Sequence, residues 1–252
     1  MTEIMAELPK TLEEAIAQAR VATKTAIADG HTRLMVELVF PELKTMPVAW
    51  QFLPEFEEYG SQLKVFFPDA GAAALARRDW GEVPFKISDL GSSRSSVQNK
   101  IEEEDQIFLL VEASEVEIAQ VEQLCNAAGD RPVILLVPRL ENAAVVGIGY
   151  AARQLRDRFI NTLYSSYYIR PLEGAALFRS HPSPWQVWLE TNDDYNLIAE
   201  ETQKPVGETL DQIILKATTP TTSNNPETAE QPKPKKTGLF TNMQRFLKAL
   251  TR

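Results

Sequence analysis

Residues 107–137 read IFLLVEASEVEIAQVEQLCNAAGDRPVILLV, and this stretch decides the fold. Two apolar runs, residues 107–111 and 132–137, flank a segment over 115–128 that we predict to be a helix closed by Gly129. Strands that are apolar throughout are typical of a sheet covered by helices on both faces. The order strand, helix, strand therefore predicts a unit of two parallel strands.

The same alternation extends back to the amino terminus. Thr11 and Glu14 form a capping box that begins a predicted helix over residues 12–28, and Gly30 ends it. The pattern then predicts a strand over 33–40, a helix around 48–59, a strand over 63–67, a helix over 70–78 and a strand over 83–87. The first 140 residues thus predict an α/β fold with a mainly parallel sheet covered by helices.

The pattern changes in the second half of the chain. A helix continues from residue 149 to about residue 161, and short aromatic segments separated by turns follow at 163–169, 175–179, 185–190 and 195–199. These segments predict antiparallel strands that extend the same sheet or form a flap on it. A last helix over 205–216 completes a predicted globular domain of residues 1–216.

The carboxyl-terminal tail has a different composition. Residues 217–236 are rich in Pro, Thr and Asn and predict a disordered linker. In residues 237–252 the apolar side chains fall on one helical face and basic side chains lie off it. The apolar set is Leu239, Phe240, Met243, Phe246, Leu247 and Leu250, and the basic set is Arg245, Lys248 and Arg252.

Charge is divided between the tail and the rest of the chain. Residues 233–252 hold six basic residues and no acid, so the net charge of -9 becomes -15 for residues 1–232. A basic amphipathic helix on an acidic body predicts an anchor to a membrane surface or a helix that binds a partner's groove. Docking of the helix on its own domain is the remaining alternative.

Composition limits the class of protein. The 252 residues are 44% apolar and 24% charged, as in an ordinary soluble domain, and the acidic balance argues against nucleic-acid binding. The single cysteine, Cys125, excludes an internal disulfide and a cysteine-rich zinc site, and we expect it in the core. No secretory or transit signal and no apolar run of about 20 residues is present. We therefore expect a cytoplasmic protein, either free or held against a membrane.

Arginines and aromatic residues are concentrated in residues 145–190. Arginine binds anions through two N–H groups and stacks on rings, so we expect a functional face here. Arg170, Arg179 and Trp185 are its candidates for contact with a partner. The competing interpretation, which we favour for the aromatic rings, is that they fill the core and its rim.

Residues 147–152, GIGYAA, resemble the dinucleotide-binding pattern G-x-G-x-x-A. The preceding predicted strand ends ten residues earlier, so a glycine-bearing loop before a helix is favoured. An anion site is the functional alternative. It would combine backbone N–H groups near Gly147 and Gly149 with Arg153 and Arg156, which share a helix face. A solvated helix face competes with it.

Motifs for catalysis are absent from the sequence. It contains no G-x-S-x-G and no phosphate-binding G-x-x-x-x-G-K-[ST], and we expect its two histidines, His31 and His181, to be structural. We expect the acidic run at 102–105 to be a solvated helix end, with calcium binding as the weaker alternative. We predict no catalytic residue, no metal ligand and no cofactor.

Four separated blocks carry a family resemblance. They are HTRLMVELVFPEL (31–43), PVILLVPRL (132–140), GIGYAARQLRDRF (147–159) and YYIRPLEGAALFRSHPSPWQVW (167–188). Together they resemble a domain of unknown function of cyanobacteria and plastids, over about residues 8–216. Its best-known plant member is named for low photosystem II accumulation. The resemblance implies a role in accumulation or assembly of photosystem II and transfers no catalytic residue. A similar domain attached to some plastid adenylate kinases keeps a nucleotide-linked role open.

These observations lead us to expect a non-enzymatic accessory factor for photosystem II. Its acidic domain would bind photosynthetic membrane proteins, and its tail helix would attach it to the anionic cytoplasmic face of the thylakoid membrane. One alternative is an enzyme or sensor that binds a nucleotide or phosphorylated small molecule near Gly147, Gly149, Arg153 and Arg156. The other is a soluble scaffold whose tail helix docks in a partner protein.

Overall fold

A computed structural model describes residues 7–91, 96–140, 150–191 and 194–219. For residues 150–152 it describes the backbone alone. Gly147, Gly149, the predicted linker beyond residue 219 and the predicted tail helix lie outside the described residues.

Within these residues, nine strands form one sheet in the order β3-β2-β4-β5-β1-β6-β7-β8-β9. The strands are β1 (Arg33–Leu38), β2 (Leu63–Phe67), β3 (Lys86–Asp89), β4 (Ile107–Val111), β5 (Val133–Leu136), β6 (Tyr164–Leu172), β7 (Ala175–Ser180), β8 (Trp185–Thr191) and β9 (Asp194–Glu201). Neighbouring strands from β3 to β6 pair in parallel, and those from β6 to β9 pair antiparallel. The predicted fold class is confirmed. The antiparallel strands extend the parallel sheet, because β6 pairs with β1 on one side and with β7 on the other.

Six α-helices accompany the sheet in the described part of the chain. They are α1 (Leu12–Ala28), α2 (Thr45–Phe52), α3 (Ala70–Trp80), α4 (Ile118–Ala128), α5 (Tyr150–Arg158) and α6 (Glu208–Thr218). The helix expected around 48–59 is divided: α2 ends at Phe52 and a 3-10 helix, Leu53–Gln62, follows with Pro54 near its start. A proline has no N–H to donate to the helix before it, which accounts for the break.

Helix α1 shows how local sequence sets an element. The Thr11 hydroxyl accepts a hydrogen bond from the Glu14 N–H at 3.1 Å, and the Glu14 carboxylate accepts one from the Lys10 N–H at 2.7 Å. The first bond satisfies a backbone donor that the first helical turn leaves unpaired. The second bonds the Lys10 N–H, one residue before the Thr11 N–H that the predicted capping box would use. At the other end Gly30 has φ 91°, a conformation that side chains disfavour, and it turns the chain into β1.

The parallel part of the sheet is covered on both faces. Helices α1, α2 and α3 pack on what we call the first face, whose core includes Leu34 and Val36 of β1 and Val65 of β2. Helices α4 and α5 pack on the second face, against residues that include Val133 and Leu135 of β5. This two-sided burial explains why these strands are apolar throughout. Cys125 of α4 lies in the second-face core, as expected, and burial raises its pKa to about 12.

Helix α6 covers the antiparallel part of the sheet. Its residues Leu210, Ile213 and Ile214 pack on a cluster formed by Tyr168, Leu177, Trp185 and Val187. Tyr167 belongs to the first-face core, and successive strand residues point to opposite faces, so Tyr168 and α6 lie on the second face. The helix runs two residues beyond the expected end of the domain at 216.

Candidate functional site

Most of the aromatic rings that the sequence concentrates between residues 145 and 190 lie in the core of the domain. Tyr167, Tyr168 and Phe178 have no exposed surface, and Trp185 is 4% exposed. Each ring of this kind removes a large apolar area from water and stabilises the fold by about 1.5–3 kcal/mol. The interpretation as core and rim is confirmed, and Trp185 is not an exposed contact for a partner.

The arginines of the same segment do not form one surface. Arg153 on α5 and Arg170 on β6 are exposed, and Arg156 is half-buried. Arg158 binds the Glu122 carboxylate of α4 through two hydrogen bonds of 2.7 and 2.9 Å. Of the predicted contact residues, the structure brings together Arg179 and Trp185.

Arg179 lies between two aromatic rings at the amino-terminal edge of the parallel strands. Its guanidinium carbon is 4.7 Å from the centre of the Tyr164 ring and 5.3 Å from that of the Trp185 ring. A guanidinium is attracted to the faces of aromatic rings, more strongly when water is excluded. Its Nη2 also donates a hydrogen bond of 2.8 Å to the Tyr164 hydroxyl.

A chain of hydrogen bonds continues from Tyr164. Its hydroxyl is 2.6 Å from Nδ1 of His181, and Nε2 of His181 is 2.8 Å from Oδ2 of Asp29. Arginine can only donate and a carboxylate can only accept, so Nε2 of His181 carries a proton. When the imidazole is neutral, Nδ1 accepts from the Tyr164 hydroxyl, and all the bonds from Arg179 to Asp29 then run in one direction.

His31 completes this group, which we call the amino-edge cluster: Asp29, His31, Tyr164, Arg179 and His181. The His31 ring stacks on Tyr164 with centres 3.6 Å apart and planes 9° apart. Burial is the main cause that lowers the pKa of His31, and His181 lowers it further, while Asp29 opposes them. Both histidines have structural contacts, as expected, but the sequence did not show that they meet. The one available signal was that each lies beside a strand end.

A second polar network closes the same edge at β2, β3 and β4. Asp105 is fully buried, and its carboxylate accepts hydrogen bonds from Lys64 at 3.0 Å and from Lys86 at 2.9 Å. Burial favours a raised pKa for Asp105, but bonds from the Glu102 N–H and the two ammonium groups outweigh it and lower the pKa. The expectation of a solvated helix end holds for the three glutamates, which are exposed in a turn just after a 3-10 helix, Val97–Lys100. It is wrong for Asp105, which is buried against lysines.

The opposite, carboxyl-terminal edge has a cavity between β1 and β5. We call it the switch-point cleft; its volume is about 450 Å³. The chain leaves β1 towards α2 on the first face and leaves β5 towards α5 on the second face. Adjacent strands whose connections separate in this way leave a crevice, where open α/β sheets bind their ligands. The cleft is lined by Glu37, Leu38, Val39, Phe40, Glu42, Leu43, Val137, Pro138 and Arg139.

Strained backbone surrounds this cleft. In the part of the chain that the structure describes, three non-glycine residues have positive φ: Glu42 at 58°, Glu112 at 58° and Val137 at 50°. Each follows the end of one of three adjacent strands, β1, β4 and β5. Such conformations cost about 1–3 kcal/mol each and cluster at functional sites. For Val137 the cost is high because a β-branched side chain disfavours this region.

Glu37 is the buried acid of the cleft. Its side chain is 11% exposed, and its Oε2 accepts a hydrogen bond of 2.8 Å from the Ser165 hydroxyl. The Lys204 ammonium lies 3.8 Å from its Oε1 and 3.8 Å from the centre of the Tyr168 ring. Glu37 was not among the predicted site residues, although an acid inside the apolar run 33–40 was a visible signal. A charge is rarely buried in a strand without a specific contact.

The comparisons with known proteins identify a family. A family model described as a domain of unknown function (DUF1995) matches residues 9–212. No solved structure matches the chain. Among the described residues, no helix has the length and apolar character needed to cross a membrane.

Proposed function

Because the chain belongs to the DUF1995 family, we propose that it is a non-enzymatic accessory factor for the accumulation or assembly of photosystem II. The protein binds a photosynthetic membrane protein while it is held at the cytoplasmic face of the thylakoid membrane. The support for this role is the resemblance of four sequence blocks to a family with a member named for low photosystem II accumulation. Of the three residues predicted to contact a partner, Arg170 on β6 is exposed at the surface.

The observation that carries the membrane part of the proposal is the division of charge. Residues 233–252 carry six basic residues and no acid, whereas residues 1–232 carry a net charge of -15. An anionic surface attracts each nearby basic residue by about 1 kcal/mol and repels the acidic domain. The tail alone therefore makes the contact, and the attachment is reversible, as suits a factor that leaves its client after assembly.

Flotation with vesicles tests the attachment. The full chain should bind vesicles containing anionic lipid at low salt, bind less at high salt and ignore neutral vesicles. A chain that ends at residue 232 should not bind. A substitution that keeps the length, Phe246→Asp, should weaken binding strongly, because it places a charge on the apolar face. Equal binding by the shortened chain would refute the anchor, provided that its thermal unfolding matches that of the full chain.

Photosystem II content tests the biological role. Removing the gene from its host should lower photosystem II relative to photosystem I. The full chain should restore it, and the Phe246→Asp variant should restore less. Unchanged photosystem II content after removal would contradict the proposal, whatever the result with vesicles.

The second candidate is binding of a nucleotide or phosphorylated small molecule at Gly147, Gly149, Arg153 and Arg156. The observation that favours it is the exposure of Arg153 on α5, since a guanidinium at the surface can bind phosphate. ATP, AMP and inorganic phosphate should then raise the melting temperature. Arg153→Ala with Arg156→Ala should abolish that shift and leave vesicle binding intact. A soluble scaffold whose tail binds a protein groove differs from both, because it would be insensitive to lipid.

A further inference from the structure

The position of the switch-point cleft indicates a binding site. Its two walls belong to adjacent strands, but α2 packs on one face of the sheet and α5 on the other, and neither helix contributes a described residue to the lining. The volume of about 450 Å³ lies within the range of about 300–1,000 Å³ that is typical of small-molecule sites. This inference goes beyond the accessory role and does not depend on it.

The charges at the cleft select the charge of a ligand. Glu37 and Glu42 line it, and its basic lining residue, Arg139, is paired with the Glu112 carboxylate. Within the described residues Glu42 has no ion pair, whereas Glu37 is paired with the Lys204 ammonium, which also lies over the Tyr168 ring. A phosphate or carboxylate entering the cleft would meet the Glu42 carboxylate beside two ion pairs, Arg139 with Glu112 and Glu37 with Lys204. A cation would be attracted by the Glu42 carboxylate in the loop after β1, and it would compete with Lys204 for Glu37 at the carboxyl-terminal end of the strand.

The remaining walls are apolar. Leu38, Val39, Phe40, Leu43, Val137 and Pro138 supply them. Such walls bind the carbon skeleton of a ligand, while a few polar groups fix its orientation. We propose that the switch-point cleft binds a small organic cation, a primary amine or guanidinium carried on an apolar skeleton, with Glu37 and Glu42 as its acidic partners.

The strained residues agree with this site. Glu42 and Val137 both line the cleft, and both keep a positive φ that a glycine would adopt at lower cost. At Glu42 the glycine would remove a carboxylate, and at Val137 it would remove part of the apolar wall. The two positions therefore retain a strained backbone along with the carboxylate and the apolar wall that would bind a cationic amphiphile.

Two pairs of probes test the proposal on the full chain. Hexylamine and benzamidine carry the cation, and hexanoate and benzoate carry a carboxylate on similar skeletons. Calorimetric titration or ligand-observed NMR gives each dissociation constant. Both cations should bind at least about tenfold more tightly than their anionic counterparts, because a carboxylate forms charge-assisted hydrogen bonds with a cation and repels another carboxylate. Inorganic phosphate should not compete with them.

Variants locate the binding. Glu42→Gln changes an exposed residue and should weaken benzamidine binding by about tenfold, and Glu37→Gln should weaken it by a similar factor or more. Leu43→Trp should abolish binding by filling the cleft. The matched control is Glu173→Gln, which removes the same charge from the exposed turn between β6 and β7 and should change nothing.

Three results would overturn the proposal. The first is that neither cation binds at about 10 mM, a concentration at which even a weak specific site would be occupied. The second is that the carboxylates bind as tightly as the cations, and the third is that Glu42→Gln and Leu43→Trp leave binding unchanged. Failure here is separable from failure of the membrane role, because Glu42→Gln should leave vesicle flotation unchanged.

Discussion

The two edges of the parallel sheet differ in how their polar groups are used. At the amino-terminal edge, Asp105 binds two lysines and Tyr164 connects Arg179 to His181. At the carboxyl-terminal edge the strands end in strained residues around a cavity that contains the carboxylate of Glu37. Both edges contain ion pairs, but the side chains of the first edge close it, whereas the second edge keeps a cavity beside Glu37 and Glu42.

This difference separates stability from binding. A buried polar group that is fully bonded within the protein fixes its neighbours and leaves little capacity for a ligand. Strain and an unfilled cavity lower stability, so they are best explained by something other than folding. We therefore assign stability to the amino-terminal edge and ligand binding to the carboxyl-terminal edge, and each prediction below tests one side of that contrast.

Asp105→Asn should have the largest effect. It leaves Lys64, whose side chain is 6% exposed, without its buried counter-charge. Removing one member of a buried ion pair costs about 3–5 kcal/mol, so the free energy of unfolding in denaturant should fall by that amount. The control is Glu104→Gln, because Glu104 also pairs with Lys86 but its side chain is 60% exposed. Its effect should stay below about 1 kcal/mol, and equal losses in both variants would contradict the account.

Tyr164→Phe should destabilise by about 1–3 kcal/mol. The variant keeps the ring that stacks on His31 but removes the hydroxyl that accepts from Arg179 and bonds to His181. The loss should exceed that of a surface hydroxyl, because Arg179 would lose the acceptor of its Nη2 group. Its Nε is already buried without an acceptor among the described residues. Tyr59→Phe is the matched control and should change stability by less than about 0.5 kcal/mol. A stable Tyr164→Phe variant would show that the hydrogen-bond chain contributes nothing.

Glu42→Gly should increase stability by about 0.5–1 kcal/mol. Its φ of 58° is strained for glutamate and not for glycine, and its side chain is exposed. The same substitution in the regular helix α1, Glu13→Gly, should destabilise by about 1 kcal/mol. Opposite signs in the two variants would show that the cleft stores strain. A loss of stability in both would place Glu42 among ordinary structural residues.

The smallest effect should be on pH dependence, through His31. Its folded-state pKa lies below the unfolded value of about 6.5, so below that pH the unfolded state binds more protons than the folded state. Stability from neutral His31 is therefore complete above pH 6.5 and decreases as the pH falls towards the folded pKa. His31→Phe keeps an aromatic ring and removes the titration. Unfolding between pH 5 and pH 7 should then show a weaker pH dependence than in the parent protein, and an unchanged slope would contradict this assignment.

Much of the fold could be predicted from local sequence. The bounds of α1 follow from Thr11, Glu14 and Gly30, and the run 107–111 agrees with β4 because a strand buried on both faces must be apolar at every position. Boundaries failed where a local signal was weak. The predicted strand at 83–87 is observed as β3 at Lys86–Asp89, an edge strand whose residues are all half-buried.

The site could not be predicted in the same way, because it depends on contacts between distant residues. Asp29 meets His181 across 152 positions, and Glu37 meets Ser165 across 128. The spacing of residues along the chain does not predict contacts between positions so far apart. Glu37 and Lys64 were visible as single charges within apolar strands, which marks a position but not its partner. The arginine-rich segment 145–190 had the opposite outcome: it was predicted to form a functional face, but most of its aromatic rings belong to the core.

The most direct test of the contrast between the two edges is a benzamidine titration of the isotope-labelled full chain, followed by backbone amide NMR. The largest shift changes should fall at residues 37–43 and 137–139 and saturate together, while the amide signals of Asp29, Tyr164 and His181 do not move. Changes centred on Tyr164 and His181, or changes that never saturate at any residue of the cleft, would contradict it.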